Sequence, residues 1–472
     1  MTTMRIVLAG LLVALALGVV ACGSEDVGAG TASSAGVLRP GAVAYWQTVS
    51  DPDSAQWEQA EELLHRFPDG EKWIAELKND FQRDEKVTWK GDVRPALGEV
   101  VDVVVYADGS RKPAVVGLTN PKDPEKLRAL VHKLDAGDPG PPTVTRVVGD
   151  WVAISDRQAA IDMALKEGSG RSLEDEQSYR SAMNDLPDDA LSRGYVDPAR
   201  LVELLAPEQR QALSALGLQN LDFAGAWVKA SDDGAELAAA LRGEGADRLF
   251  GAAEPYTSRF VGQVPDDALA FLSFQGAGLR RQLEQLRSNP LFAMELRDFE
   301  RESGIKLDEL ISLLDGEIAF YARPAVPIPE LTVLIQADDE ARAKATVERL
   351  LRRVSAELQG VHLTVETLDG AVVVSTSTRA PEELRGSGAK LPDSDRYKRA
   401  LKTAGAPDEY TGLAYVDLAN AWDLIREYLG LSGEGDEVPP SVRRNLEALQ
   451  SLVAFGKQDG SLSTSVAFLE IK

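Results

Sequence analysis

Gly149-Asp150-Trp151-Val152-Ala153-Ile154-Ser155, followed downstream by Tyr195-Val196-Asp197, is a passage this chain writes twice. The second version reads Asp369-Gly370-Ala371-Val372-Val373-Val374-Ser375 and is followed by Tyr415-Val416-Asp417, at an offset of about 220 residues in both cases. Order and spacing are kept together, which chance seldom does. Working outward, Pro40-Gly41-Ala42-Val43-Ala44-Tyr45 has a counterpart in Pro265-Asp266-Asp267-Ala268-Leu269-Ala270-Phe271. The lead-in Leu97-Gly98-Glu99 to a strand ending Val105-Tyr106-Ala107 has one in Asp315-Gly316-Glu317 before Phe320-Tyr321-Ala322.

Each half then reads as strands in hairpins with helices between them. An apolar strand opens the halves near 42–49 and 268–274. Over 53–67, Trp57, Ala60, Leu64 and Phe67 fall at helical spacing, and Asp53 with Gln56 has the form of a capping box. Val100–Tyr106 and Ala114–Leu118 form a hairpin about Asp108-Gly109, since Asp-Gly supplies the positive φ of tight turns. Asp123-Pro124 starts a helix with Leu127, Leu130, Val131 and Leu134 inward. Its counterpart spans 338–358. Further hairpins turn at Gly149-Asp150, Asp369-Gly370, Asp233-Gly234 and Asp459-Gly460. This order predicts an α+β fold of two tandem pseudo-repeats, each an antiparallel sheet with helices packed on one face, over 37–245 and 255–472 with a linker at 246–254. A doubly wound parallel sheet would alternate single strands and helices instead.

The chain has 472 residues and a formal charge of −24, which excludes a nucleic-acid partner, because phosphate binding needs a basic surface. It contains one cysteine, so no internal disulfide and no cysteine zinc cluster is available. That cysteine, Cys22, closes a leader: Arg5 supplies a positive start, and 6–20 is an unbroken run of apolar or Gly residues. The run is shorter than the roughly twenty residues of a membrane-spanning helix and fits a signal peptide over 1–21. Val19-Val20-Ala21-Cys22 resembles a lipobox, the processing site of bacterial lipoproteins, in which Leu is more usual where Val19 stands. The resemblance implies cleavage between Ala21 and Cys22 and lipid, including palmitate, on Cys22. Two acyl chains would hold the product stably on a membrane. Residues 22–36, GSEDVGAGTASSAG after the cysteine, read as a flexible tether. The opening strand after a proline, the hairpins, the duplication and the leader together resemble a family of bacterial exported proteins of unknown function, to which no activity is attached.

Candidate chemistry is sparse. Asp197 and Asp417 recur, but each directly precedes a helix and is explained as an N-cap. His65, His132 and His362 have no partner at metal-ligand spacing. Ser303 with Lys306 and Ser387 with Lys390 match a Ser-x-x-Lys spelling without its companion elements. Asp338-Asp339-Glu340 lacks the alternation of a calcium loop and sits where helix-start acids belong. No catalytic, cofactor or metal residues are assigned. Six of the seven tryptophans lie in the first half, and Trp46, Trp73, Trp89 and Trp151 are candidates for a ligand or partner surface. The expected function is a non-enzymatic, membrane-anchored extracytoplasmic binding or scaffolding module of the cell envelope. Its partners would be the membrane, through lipid on Cys22, and an envelope protein or apolar ligand. The alternatives are a carrier with an apolar cavity between sheet and helices and an envelope hydrolase whose carboxylates meet only in space.

Overall fold

The computed structural model describes residues 32–85, 87–107, 109, 112–136, 141–206, 209–210, 214, 217–246, 254–288, 296–298, 300–301, 304–325, 329–354, 362–422, 424 and 439–472. The leader, Ala21 and Cys22 lie outside them. The chain is α+β and divides into two compact units, one ending at Gly245 and the other beginning at Ala246.

The first unit contains strands β1 (Ala44–Val49), β2 (Val100–Tyr106), β3 (Ala114–Thr119), β4 (Val144–Val148), β5 (Trp151–Ser155), β6 (Ser192–Val196), β7 (Leu221–Ser231) and β8 (Gly234–Gly243). They form a sheet in the order β4-β5-β3-β2-β1-β6-β7-β8, and each neighbouring pair is antiparallel. The second unit contains β9 (Ala270–Gln275), β10 (Glu317–Arg323), β11 (Glu330–Gln336), β12 (Thr364–Leu368), β13 (Ala371–Ser375), β14 (Gly412–Asp417), β15 (Leu449–Asp459) and β16 (Leu462–Ile471). Their order is β12-β13-β11-β10-β9-β14-β15-β16, again antiparallel. Numbered within its own unit, each sheet runs 4-5-3-2-1-6-7-8.

Register places matching residues in matching positions. Tyr195 stands opposite Tyr45 in the first unit, and Tyr415 opposite Phe271 in the second. The amide of Asp197 donates to the Val43 carbonyl at 2.9 Å, and that of Asp417 to Leu269 at 2.7 Å. Helix Gln177–Asp185 lays Tyr179 edge-on against Tyr195, with ring centroids 5.6 Å apart. Helix Asp395–Thr403 lays Tyr397 edge-on against Tyr415 at 5.1 Å. Each helix follows a one-turn 3-10 segment, Leu173–Asp175 or Leu391–Asp393, whose last aspartate accepts from the backbone three residues back.

Helices cover both faces of each sheet, not one. Tyr179 packs on the face carrying Tyr45 and Tyr195. Helix Pro124–Asp135 instead buries Leu127, Leu130 and Val131 with Val152, which points to the opposite face. In the second unit helix Glu340–Val354 packs Ala343 and Val347 on Val372, away from Tyr415. The cause is visible in the strands. Val100–Tyr106 and Ala371–Ser375 are apolar on both faces, so both faces must be shielded from water.

Other expectations change in detail. Asp53 and Gln56 do not form a capping box: the first helix is Ala55–His65 with Ser54 at its N-cap. Asp53 instead pairs with Arg94 at 3.0 Å, and Gln56 bonds the backbone of Ala230. Leu63, not Leu64, is that helix's buried leucine beside Trp57. Two hairpin turns sit one residue away from the expected pairs, at Asp232-Asp233 and Gly460-Ser461. Asp369-Gly370 does turn with both φ positive, 44° and 84°, as a two-residue hairpin of this type requires.

The tether expected over 22–36 is also shorter. Ser34–Val37 forms a 3-10 turn with Ser34 and Ala35 fully buried, and the Ala32 carbonyl accepts from the Gln47 amide at 3.0 Å. Small residues read as flexible from composition are here buried in the fold.

Candidate functional site

The backbone of this segment is held by a buried acid. Asp102, fully buried on β2, accepts the Ser34 amide at 2.9 Å on one oxygen, while its other oxygen, Oδ1, has no hydrogen-bond partner. Tyr45, Gln47 and Tyr179 surround it, and Arg193 donates to the Gln47 side chain at 3.2 Å. Burial pushes the Asp102 carboxyl above its ordinary range, against the pull of the Ser34 contact. Burial, reinforced by the Asp102 charge, pushes the Tyr45 hydroxyl well up.

A carboxyl raised on folding adds stability that is complete below its unfolded pKa and is lost as pH rises through its folded one. Asp102→Asn, which keeps an acceptor for Ser34 and removes the charge, is therefore expected to gain stability relative to the parent as pH rises from about 4 to about 8. Urea midpoints of the two proteins across that range check this. A constant difference would show that Asp102 does not titrate in the folded state.

A cavity of about 930 Å³ lies in the second unit. Its floor is Ala268, Leu269 and Asp417, brought together by the β9–β14 pairing. Pro324, Asn420 and Leu424 flank it, and Asp266, Asp267, Asp393, Ser394, Asp395 and Arg396 complete the lining. Asp417 is only 5% exposed. It accepts from the Asn420 amide at 3.0 Å and from the Asn420 side chain at 2.7 Å, and Arg396 lies 3.4 Å away. Two of the other acids are engaged: Asp267 meets Arg323 through two bonds of 2.7 and 2.8 Å, and Asp393 accepts the Lys390 amide at 3.1 Å. Five carboxylates and one arginine line the cavity, and two of the carboxylates, Asp267 and Asp417, are paired with Arg323 and Arg396.

The residues of the same name in the first unit are arranged differently. Asp197 accepts the Arg200 amide at 3.0 Å, and the Arg200 guanidinium turns back across the sheet end. It donates to the Ala42 carbonyl at 3.1 Å, meets Asp197 at 3.0 Å and meets Glu176 at 2.5 Å. Glu176 uses its second oxygen to accept the Gly41 amide at 2.9 Å.

The tryptophans expected to share a surface do not. Trp89 and Trp151 are buried. Trp46 is half-buried, donates to the Ser192 hydroxyl at 2.6 Å and lies across Gly194, so closely that a Cβ there would fall 1.8 Å from its ring. Only Trp73 is exposed, at 40%, tilted against Phe67. Lys390 of the Ser-x-x-Lys match is committed to the Gln263, Glu383 and Leu384 carbonyls at 2.9–3.3 Å. Ser303 lies outside the described residues. Asp339 caps its helix through the Arg342 amide, and Glu340 accepts the Gly370 amide, as helix-start acids do. Sequence reasoning singled out Asp417 only as a cap and passed over Asn420. The signal was the residue three past each repeated aspartate, Arg200 in one copy and Asn420 in the other.

A family model described as a protein of unknown function (DUF3352) matches residues 131–359. No curated protein matches the chain.

Proposed function

We propose that the protein is an exported lipoprotein, anchored by lipid on Cys22, whose folded part is a non-enzymatic binding module of the cell envelope and whose ligand site is the acidic cavity of the second unit. The observation that carries the binding reading is that cavity: about 930 Å³, walled by defined elements, with a nearly buried carboxylate at its floor. Its carboxylate-rich lining makes it a poor host for an acyl chain, since a charge facing hydrocarbon loses its hydration without compensation. The lipobox-like Val19-Val20-Ala21-Cys22 supports the anchoring.

The two units are further proposed to be tandem copies of one ancestral unit. Support comes from the common strand order and from the paired tyrosines Tyr179–Tyr195 and Tyr397–Tyr415.

Cys22→Ser tests the anchor. In a bacterial host fed labelled palmitate, the parent is expected to take up label and to sediment with membranes, and the variant to do neither. Equal labelling of both would remove the anchor from the account.

A further inference from the structure

We propose that residues 32–36 form a strap that closes on Asp102 in acid and opens as pH rises, lengthening the tether of the first unit. The strap has a sharp boundary. From Val37 onward the chain is held by backbone bonds: the Val37 carbonyl accepts the Lys166 amide at 3.1 Å, the Leu38 carbonyl accepts the Leu173 amide at 2.9 Å, and the Arg39 amide donates to the Ala164 carbonyl at 2.9 Å. Before that point it is held through side chains. The Ala32 carbonyl accepts from Gln47, the Ser33 hydroxyl meets those of Tyr45 and Tyr179 at 3.2 and 3.4 Å, and the Ser34 amide donates to Asp102.

The contact at the centre of the strap is incompletely bonded. Asp102 Oδ1 and the Ser34 hydroxyl are both buried without a hydrogen-bond partner. Water satisfies both once the strap lifts, so each favours the open form. The second unit shows a completed contact of the same kind. Glu317 holds the segment entering that unit with both oxygens engaged, one by the Ser258 and Ser273 hydroxyls and the other by the Arg259 amide. The orphaned atoms therefore stand at the segment that continues into the tether.

Charge decides the direction. Tyr45 and Gln47 face Asp102 from β1, and Tyr179 faces it from helix Gln177–Asp185. Burial holds both tyrosines neutral well past the ordinary phenol range. From β3 Leu118 stands opposite, and Arg193 on β6 is separated from Asp102 by Gln47, to which it donates. An ionised Asp102 is thus dehydrated under the closed strap and hydrated when it opens, which is why its carboxyl is raised in the closed form. A group raised by closure favours closure fully below its open-form pKa and loses that contribution as pH rises through its closed-form one. Opening frees residues 32–36, about 18 Å of extended chain. That gain in reach rests on the proposed anchor at Cys22; the strap itself does not.

Hydrogen exchange of the full chain at about pH 5 and about pH 8, expressed as protection factors, tests this. Protection of the Ser34 and Ala35 amides is expected to fall by about ten-fold or more between the two, because each unit of pKa difference between the forms changes the opening equilibrium ten-fold. The Arg259, Phe260 and Val261 amides, held by Glu317 and Ser258, are expected to keep their protection. Asp102→Asn is expected to show a strap profile independent of pH. Constant strap protection in the parent overturns the proposal, whether or not the variant folds. So does an equal fall in folded Asp102→Asn, which would assign the titration to another group, and so does a parallel fall at 259–261, which would mark general loosening. The palmitate experiment reads the anchor separately, so either idea can fail alone.

Discussion

Glu317→Ala is expected to destabilise the second unit by about 3–5 kcal/mol, because it strands several buried donors at once. Glu317 begins β10 and is 1% exposed. One oxygen accepts from the hydroxyls of Ser258 and of Ser273, the latter at 2.7 Å, and the other accepts the Arg259 amide at 2.9 Å. The Ser258 oxygen in turn accepts the amides of Phe260 and Val261 at 3.2 and 3.1 Å, so the whole turn leading into the unit is built on this carboxylate. Each buried donor left without an acceptor costs about 1–3 kcal/mol; the hydroxyls can rotate toward other acceptors, but the Arg259 amide cannot. Glu317→Gln retains one acceptor oxygen and is expected to lose less. Urea denaturation of the three proteins checks the order, and a loss under about 1 kcal/mol for the alanine variant would show that the turn stands without its acid.

Gly194→Ala is the second large effect, expected at about 2–3 kcal/mol despite adding one methyl group. Gly194 faces Trp46 directly across the β1–β6 pair. An added Cβ would lie 1.8 and 2.2 Å from two ring carbons, and the ring cannot slide aside without giving up the Trp46–Ser192 hydrogen bond. At the corresponding pair of the second unit Leu272 stands opposite Ala414, where a side chain smaller than tryptophan leaves room for a Cβ. The cost should therefore belong to the pair. With Trp46 first replaced by Leu, Gly194→Ala is expected to be near neutral in thermal denaturation. An equal penalty in both backgrounds would place the strain in the strand itself.

The hairpins and the antiparallel sheets were legible from residue order, with two of the turns one residue from the pairs read. Apolar runs broken by turn residues carry that information locally. The two-sided covering of the sheets was harder to read, because the near-continuous apolar strands do not say which face a helix takes. Asp102 and Glu317 illustrate a deeper limit. Both are buried acids that accept a backbone amide from the segment leading into their unit, yet they occupy different register positions: Asp102 opposite Gln47, Glu317 opposite Gln275. The strand register through Tyr45 and Phe271 places Ala319, not Glu317, at the Asp102 position, whereas matching Tyr106 to Tyr321 along the sequence puts the two acids in one column, so sequence and register disagree on this pair. The cavity was invisible for another reason. Its lining comes from separate stretches, 266–269, 393–396 and 417–424, that only the folded chain brings together.

The burial of Ser34 and Ala35 also sets a leash. If acyl chains are carried on Cys22, ten residues separate the bilayer from Ala32, the first described position, and a fully extended chain covers at most about 36 Å over that distance. The envelope module would then patrol only a thin layer above the lipid headgroups, and any ligand it captures would have to be one that reaches that layer.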